Sequence, residues 1–223
     1  MKQTRPRLMI VPALLADRIE VLLQRLRQAE SFTGYVQIDM MDGSFVPEKS
    51  FQPQALNSID MQLSFELHLM VEDPQSFLKR INNNGLKKVI FHYESKANIP
   101  ELIDFIKERG LKAGLAVKPE TPLADIRGAA ELVDVLLFLT VDPGRYGSPF
   151  KPEVLKKVAR ARRIFPDKLI GVDGGISLDN LKDVIETGAD YACIGSRIFL
   201  HGRPAGNYKA FTDKANGLEM SHI

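Results

Sequence analysis

Short apolar runs alternate along this chain with longer stretches of helical periodicity. The runs predict strands over Leu8–Ala13, Gln37–Met41, Phe65–Val71, Lys88–His92, Lys112–Val117, Val133–Val141, Leu169–Asp173 and Tyr191–Gly195. Between them the pattern predicts helices near Asp17–Glu30, Gln52–Ser58, Pro74–Asn83, Asn98–Arg109, Leu123–Ala130, Pro152–Ile164 and Leu178–Thr187, with a last helix over Tyr208–Leu218. Pro74, Pro122 and Pro152 stand where first-turn prolines belong, and Gly85, Gly110 and Gly188 where helices stop. Eight such units at roughly 25-residue spacing match an α/β chain closed into a single (β/α)8 barrel. A doubly wound open sheet competes, but it carries fewer strands and a glycine-rich first turn. The first turn here has no glycine, so the barrel is the better reading.

Composition narrows the picture without changing it. A chain of 223 residues suits one domain over 1–223, and 44% hydrophobic with 26% charged residues fits a globular protein. The net charge of +2 gives no basic footprint, so no nucleic-acid partner is expected. No apolar run approaches the ~20 residues of a membrane span, so no membrane partner is expected either. The lone cysteine, Cys193, excludes an intramolecular disulfide and reads as a small core residue. Lys2, Arg5 and Arg7 before Leu8 to Ala16 imitate a short signal peptide. Pro12 interrupts that run and no small-residue cleavage pattern follows, so a first strand is expected there and the cytoplasm is the simplest location.

The chemistry collects at strand ends. Side chains alternate along a strand, so Gln37, Asp39 and Met41 share one face, as do Glu66, His68 and Met70. Asp173 ends the seventh run. A carboxylate at the mouth of a buried strand is costly unless it is paired, protonated or coordinated, so two carboxylates and an imidazole at three strand ends point to a site. Gly174-Gly175 and Gly195-Ser196 follow strands seven and eight, where barrels commonly bind a phosphate through close backbone approach. The longest irregular stretches, Asp42–Phe51 and Asp142–Phe150, would overhang the same C-terminal face.

The run Asp39-Met40-Met41-Asp42-Gly43-Ser44-Phe45-Val46-Pro47 is similar to the signature of the ribulose-phosphate 3-epimerase family, in which His-x-Asp-Val-Met-Asp-Gly-x-Phe-Val-Pro-Asn is usual. The resemblance continues in order through His68 to Val71, Phe91 to Glu94, Lys112 to Leu115, Pro119 to Pro122 and Thr140 to Gly144. It ends with Val172 to Ile176, Gly188 to Asp190 and Gly195-Ser196, and spans residues 8 to 200. It implies a TIM barrel of the ribulose-phosphate-binding type that epimerises a ketose phosphate at C3.

On that resemblance, Asp39 and Asp173 are the catalytic pair, one the base and the other the acid on opposite faces of the substrate. Both also belong to the family's site for one divalent ion (zinc, iron or manganese), which stabilises an enediolate. His68 matches one of its two histidines, and Gln37 stands where the other is usual. The glutamine is a neutral, harder donor, which implies an ion held weakly or not at all. Met41 and Met70 would line the site and shield the enediolate. Gly144, Gly147, Gly174, Gly175, Gly195 and Ser196 would hold the phosphorylated substrate, and a homo-oligomer is implied. His92 and Glu94 are expected to support the barrel mouth, with His201 and His222 on the surface.

The departures are specific. Strand one lacks the family's serine, Leu139 replaces a methionine, and Arg145-Tyr146-Gly147-Ser148 replaces Phe-Gly-Gly-Gln. The family's usual reaction links D-ribulose 5-phosphate and D-xylulose 5-phosphate. An epimerase of another ketose phosphate, such as allulose 6-phosphate, and a noncatalytic sugar-phosphate-binding paralogue are the alternatives those departures leave open.

Overall fold

Eight parallel strands pair in chain order and the eighth returns to the first, closing a barrel. The computed structural model describes residues 8–220. Lys2, Arg5, Arg7 and His222 lie outside that range. The strands are β1 (Met9–Leu15), β2 (Tyr35–Met41), β3 (Ser64–Met70), β4 (Leu86–His92), β5 (Lys112–Val117), β6 (Val135–Leu139), β7 (Leu169–Asp173) and β8 (Tyr191–Ile194). The helices are α1 (Ile19–Ala29), α2 (Pro74–Lys79), α3 (Ile99–Glu108), α4 (Arg127–Leu132), α5 (Val154–Ile164), α6 (Leu181–Glu186), α7 (Ser196–Phe199) and α8 (Pro204–Met220).

Strands so placed are covered on both faces, which is why they read as apolar runs rather than alternations. One core layer lies between strands and helices and includes Ile38, Leu67, Phe91, Leu136 and Val172. A second, inner cluster gathers Val11, Ala13, Ile90, Ala116, Leu137, Leu139, Tyr191 and Cys193. The even and odd positions of each strand divide between the two. Gly171 shows how tightly the inner layer packs: a Cβ there would stand 2.2 Å from the Tyr191 ring. Any side chain at that position would displace the tyrosine.

Several boundaries depart from the hydrophobic pattern. Val133 and Val141 are buried but lie outside β6, because an apolar run does not distinguish a strand from the packed turns that flank it. The helix expected at Gln52 is a 3-10 segment, Pro53–Ser58. Helix α4 starts at Arg127, so Pro122 sits in the preceding turns rather than in the first helical turn. The short α7 directly after β8 was not expected, and α8 starts at Pro204, four residues before the predicted Tyr208. Among the described residues no helix is long and apolar enough to cross a membrane.

Candidate active site

Register brings the polar strand ends together. Asp39 on β2 pairs laterally with His68 on β3, and Gln37 with Glu66 two residues below them. Asp173 ends β7 beside Leu139 of β6 and Cys193 of β8. His68 Nδ1 lies 2.9 Å from Asp39 Oδ1 and 3.4 Å from Asp173 Oδ2. The Gln37 amide nitrogen donates to both carboxylates, at 2.8 Å to Asp39 Oδ1 and 2.8 Å to Asp173 Oδ2. Its oxygen accepts from the Cys193 thiol at 3.0 Å. Cys193 is thus buried, as a small core residue would be, but it also makes a polar contact that its apolar neighbours in sequence do not announce.

A second layer holds the imidazole. His68 Nε2 is 2.9 Å from His92 Nε2, and His92 Nδ1 is 3.2 Å from Glu94 Oε2. Burial pulls His92 down to about 4 and keeps it neutral. A neutral His92 satisfies both contacts in one way: Nδ1–H donates to Glu94, and Nε2 accepts a proton held on His68 Nε2. Glu94 resists the upward pull of its own burial and falls to about 2, because His92, the Thr121 hydroxyl and the Lys118 amide donate to it. The chain Glu94–His92–His68 therefore fixes the histidine ring with Nδ1 turned toward the aspartates, the usual means of orienting a ligand histidine.

The charges at the centre are mutually dependent. Burial raises Asp39 to about 6; Asp173 adds to the rise, while His68 and Gln37 oppose it. Burial alone would lower His68, but its hydrogen bonds to Asp173 and Asp39 lift it to about 10. The carboxyl groups on either side favour the protonated form of the ring. Each charge is tolerable there only because the others are present.

Asp39, His68 and Asp173 each offer a ligand atom within 4.8 Å of the others, so this buried group could hold a metal ion. Two carboxylate oxygens and an imidazole nitrogen suit zinc, iron or manganese. Gln37 reaches the same place with an N–H donor, not with its oxygen.

Above the cluster opens a cavity. Asp39, His68 and Asp173 form its floor, and Met70, Gly144, Gly147, Gly174, Gly175, Gly195 and Ser196 line its walls. Met41 packs beside Met70 and Val46, one layer back from the opening. Gly174 and Gly175 hold φ of +101° and +66°, which lets the backbone turn sharply at the mouth. His201 is exposed, as expected. Tyr146 was not assigned a role by sequence, yet its ring stands against Gly195 and its hydroxyl reaches the end of β1. Arg145 pairs with Glu48 of the loop after β2 at 2.9 Å. Beneath the site, Lys88 and Glu66 form a buried pair at 2.6 Å. Glu66 was placed on the His68 face by alternation, but nothing local to Lys88 marks it as its partner.

The sequence pattern of the ribulose-phosphate 3 epimerase family matches residues 9–199. The chain is 32% identical over 206 residues to the ribulose-phosphate 3-epimerase of Eremothecium gossypii, covering 85% of each protein. It is 31% identical over 222 residues to that of Buchnera aphidicola, covering 96% of each. In fold alone it resembles the 3-hexulose-6-phosphate synthase of Salmonella typhimurium, with a TM-score of 0.68 and 18% identity over 97% of this chain and all of that one, 100%.

Proposed function

The chain belongs to the ribulose-phosphate 3-epimerase family, and we propose that it interconverts D-ribulose 5-phosphate and D-xylulose 5-phosphate by proton transfer between Asp39 and Asp173. The observation that carries this reading is the meeting of those two carboxylates, from β2 and β7, at one buried amide nitrogen beneath the cavity. Inversion at a carbon next to a carbonyl needs a base on one face and an acid on the other. One aspartate removes the C3 proton, leaving an enediol(ate), and the other delivers a proton to the opposite face. The roles exchange with direction, and after each turnover the aspartate that took the C3 proton gives it up to solvent while its partner is reprotonated from solvent, so atoms balance.

The other residues place and shelter that step. Met70, Leu139 and Val141 give the cavity an apolar wall that limits water near the planar intermediate. The phosphate is assigned to Gly174, Gly175, Gly195 and Ser196, with Gly144 and Gly147 on the loop that faces them. A divalent ion held by Asp39, His68 and Asp173 would supply Lewis acidity to charge developing on the substrate oxygens. Glu94 and His92 keep His68 oriented for that task.

The test is solvent-proton exchange at C3, followed by deuterium incorporation into a panel of ketose phosphates and their dephosphorylated counterparts, with and without added zinc, iron or manganese. Exchange into D-ribulose 5-phosphate, and not into the free sugar, supports the reading. Absence of exchange in every phosphorylated ketose under every metal condition would make the protein a binding paralogue.

A further inference from the structure

Gln37 is fully buried, and its amide is satisfied at every polar atom by groups from three other positions. Both amide protons are used, one on each catalytic carboxylate, and the oxygen accepts the Cys193 thiol. Turning the amide over would set its oxygen 2.8 Å from two carboxylate oxygens and leave its NH2 against sulfur, a weak acceptor. The hydrogen-bond network therefore fixes nitrogen toward the aspartates.

Resting on the reading above, we propose that Gln37 is a positioning residue whose NH2 bridges Asp39 and Asp173 in competition with a divalent cation, and that Cys193 holds the amide in that orientation. The competition is for particular atoms. Asp39 Oδ1 already accepts from both Gln37 and His68, and Asp173 Oδ2 accepts from Gln37 with His68 close by. Both carboxylates belong to the group, with His68, that could hold an ion. An amide there draws the carboxylates together with partial positive charge only, so the pair keeps its spacing without an ion. A cation that takes the same oxygens must first displace two charge-assisted hydrogen bonds.

The anchor has its own support from below. Cys193 Sγ lies 3.9 Å from Glu66 Oε1, and Lys88 is bonded to Glu66 Oε2 at 2.6 Å. With the carboxylate engaged by lysine, the thiol proton is left to the nearer acceptor, Gln37 Oε1. This assigns a sign to the role of Gln37. A ligand, when removed, weakens metal binding; a competitor, when removed, strengthens it.

The experiment is a calorimetric titration of the full-length, metal-stripped protein with manganese(II) alone. Gln37→Leu keeps the volume and deletes both donors, and should bind the ion at least ~tenfold more tightly than the parent, because two charge-assisted hydrogen bonds no longer compete with it. Cys193→Ala should shift affinity in the same direction by freeing the amide oxygen, while Cys193→Ser, which keeps a donor, should return it to the parental value. Folding of each variant is checked by circular dichroism, and the cysteine pair tests the proposal if Gln37→Leu does not fold. Equal or weaker manganese binding by Gln37→Leu, or by Cys193→Ala, overturns it. Catalysis is not read, so failure of the epimerase assignment would show in the exchange assay and not here.

Discussion

The Tyr146 hydroxyl donates to the Ala13 carbonyl at 2.7 Å, tying the loop after β6 to the end of β1, across the tops of β7 and β8. The same hydroxyl accepts from the Leu15 amide at 2.9 Å, and the Arg25 guanidinium lies 5.1 Å from the ring centroid while donating to the Leu15 carbonyl. The ring fills the space over Gly195, where a Cβ would come within 2.4 Å of it. Strand one carries no hydroxyl of its own at the site, and the sixth loop brings one to it.

Tyr146→Phe keeps the ring and removes both hydrogen bonds. We expect the loop, not the barrel, to respond. At about 1.4 kcal/mol for the lost bonds, amide exchange over residues 143–149 should accelerate about tenfold, with global unfolding nearly unchanged. Unaltered loop exchange would mean the hydroxyl does not hold the loop.

Asp39→Asn and Asp173→Asn should each abolish C3 exchange, by a factor of at least ~10² to 10⁴, the usual worth of a positioned acid or base. Circular dichroism should remain parental, because the amide is isosteric. A near-parental rate in Asp39→Asn would defeat the two-aspartate mechanism for this chain.

Lys88→Met should be among the most destabilising single changes in the barrel floor. It strands the Glu66 carboxylate, which is fully buried and would retain only the Tyr35 hydroxyl at 3.0 Å as a close donor. Breaking a buried pair in this way costs about 3–5 kcal/mol, whereas replacing both partners, as in Lys88→Met with Glu66→Leu, should be close to neutral. Urea unfolding of the single and double variants gives the comparison. Equal loss in both would show that the pair, rather than the stranded charge, sets the cost.

Asp42 predicts a pH dependence in the loop after β2. Burial would raise its carboxyl, but the amides of Glu72, Phe45 and Ser44 donate to it and hold it below the ordinary value. Because the folded value is depressed, the contribution is complete above the ordinary carboxylate pKa of ~4 and fades as pH falls through the lowered value. The stability gap between the parent and Asp42→Asn should therefore be full at pH 7 and should close under acid. A gap that stayed constant from pH 7 to pH 2 would refute this, and denaturant midpoints across that range measure it.

The sequence by itself determined the barrel and most of the residues on its floor. Eight runs at regular spacing, each apolar enough to be covered on both faces, suffice for the architecture, since strand burial is written locally as composition. Period-two alternation likewise places Gln37 with Asp39, and Glu66 with His68. Helix starts were less legible: Pro122 satisfies the first-turn rule, yet the chain makes further turns before α4 begins at Arg127.

What only the tertiary structure decided is which polar atoms meet. Gln37 bonds Asp173 across 136 positions and accepts from Cys193 across 156, and Tyr146 finds Ala13 across 133. Those contacts exist because closure of β8 onto β1 fixes the register around the whole ring. Local pattern identifies a glutamine on the inner face, but its two ends are chemically opposite and nearly the same size. Which end faces the aspartates is set by two carboxylates and a thiol that only the closed barrel brings to it.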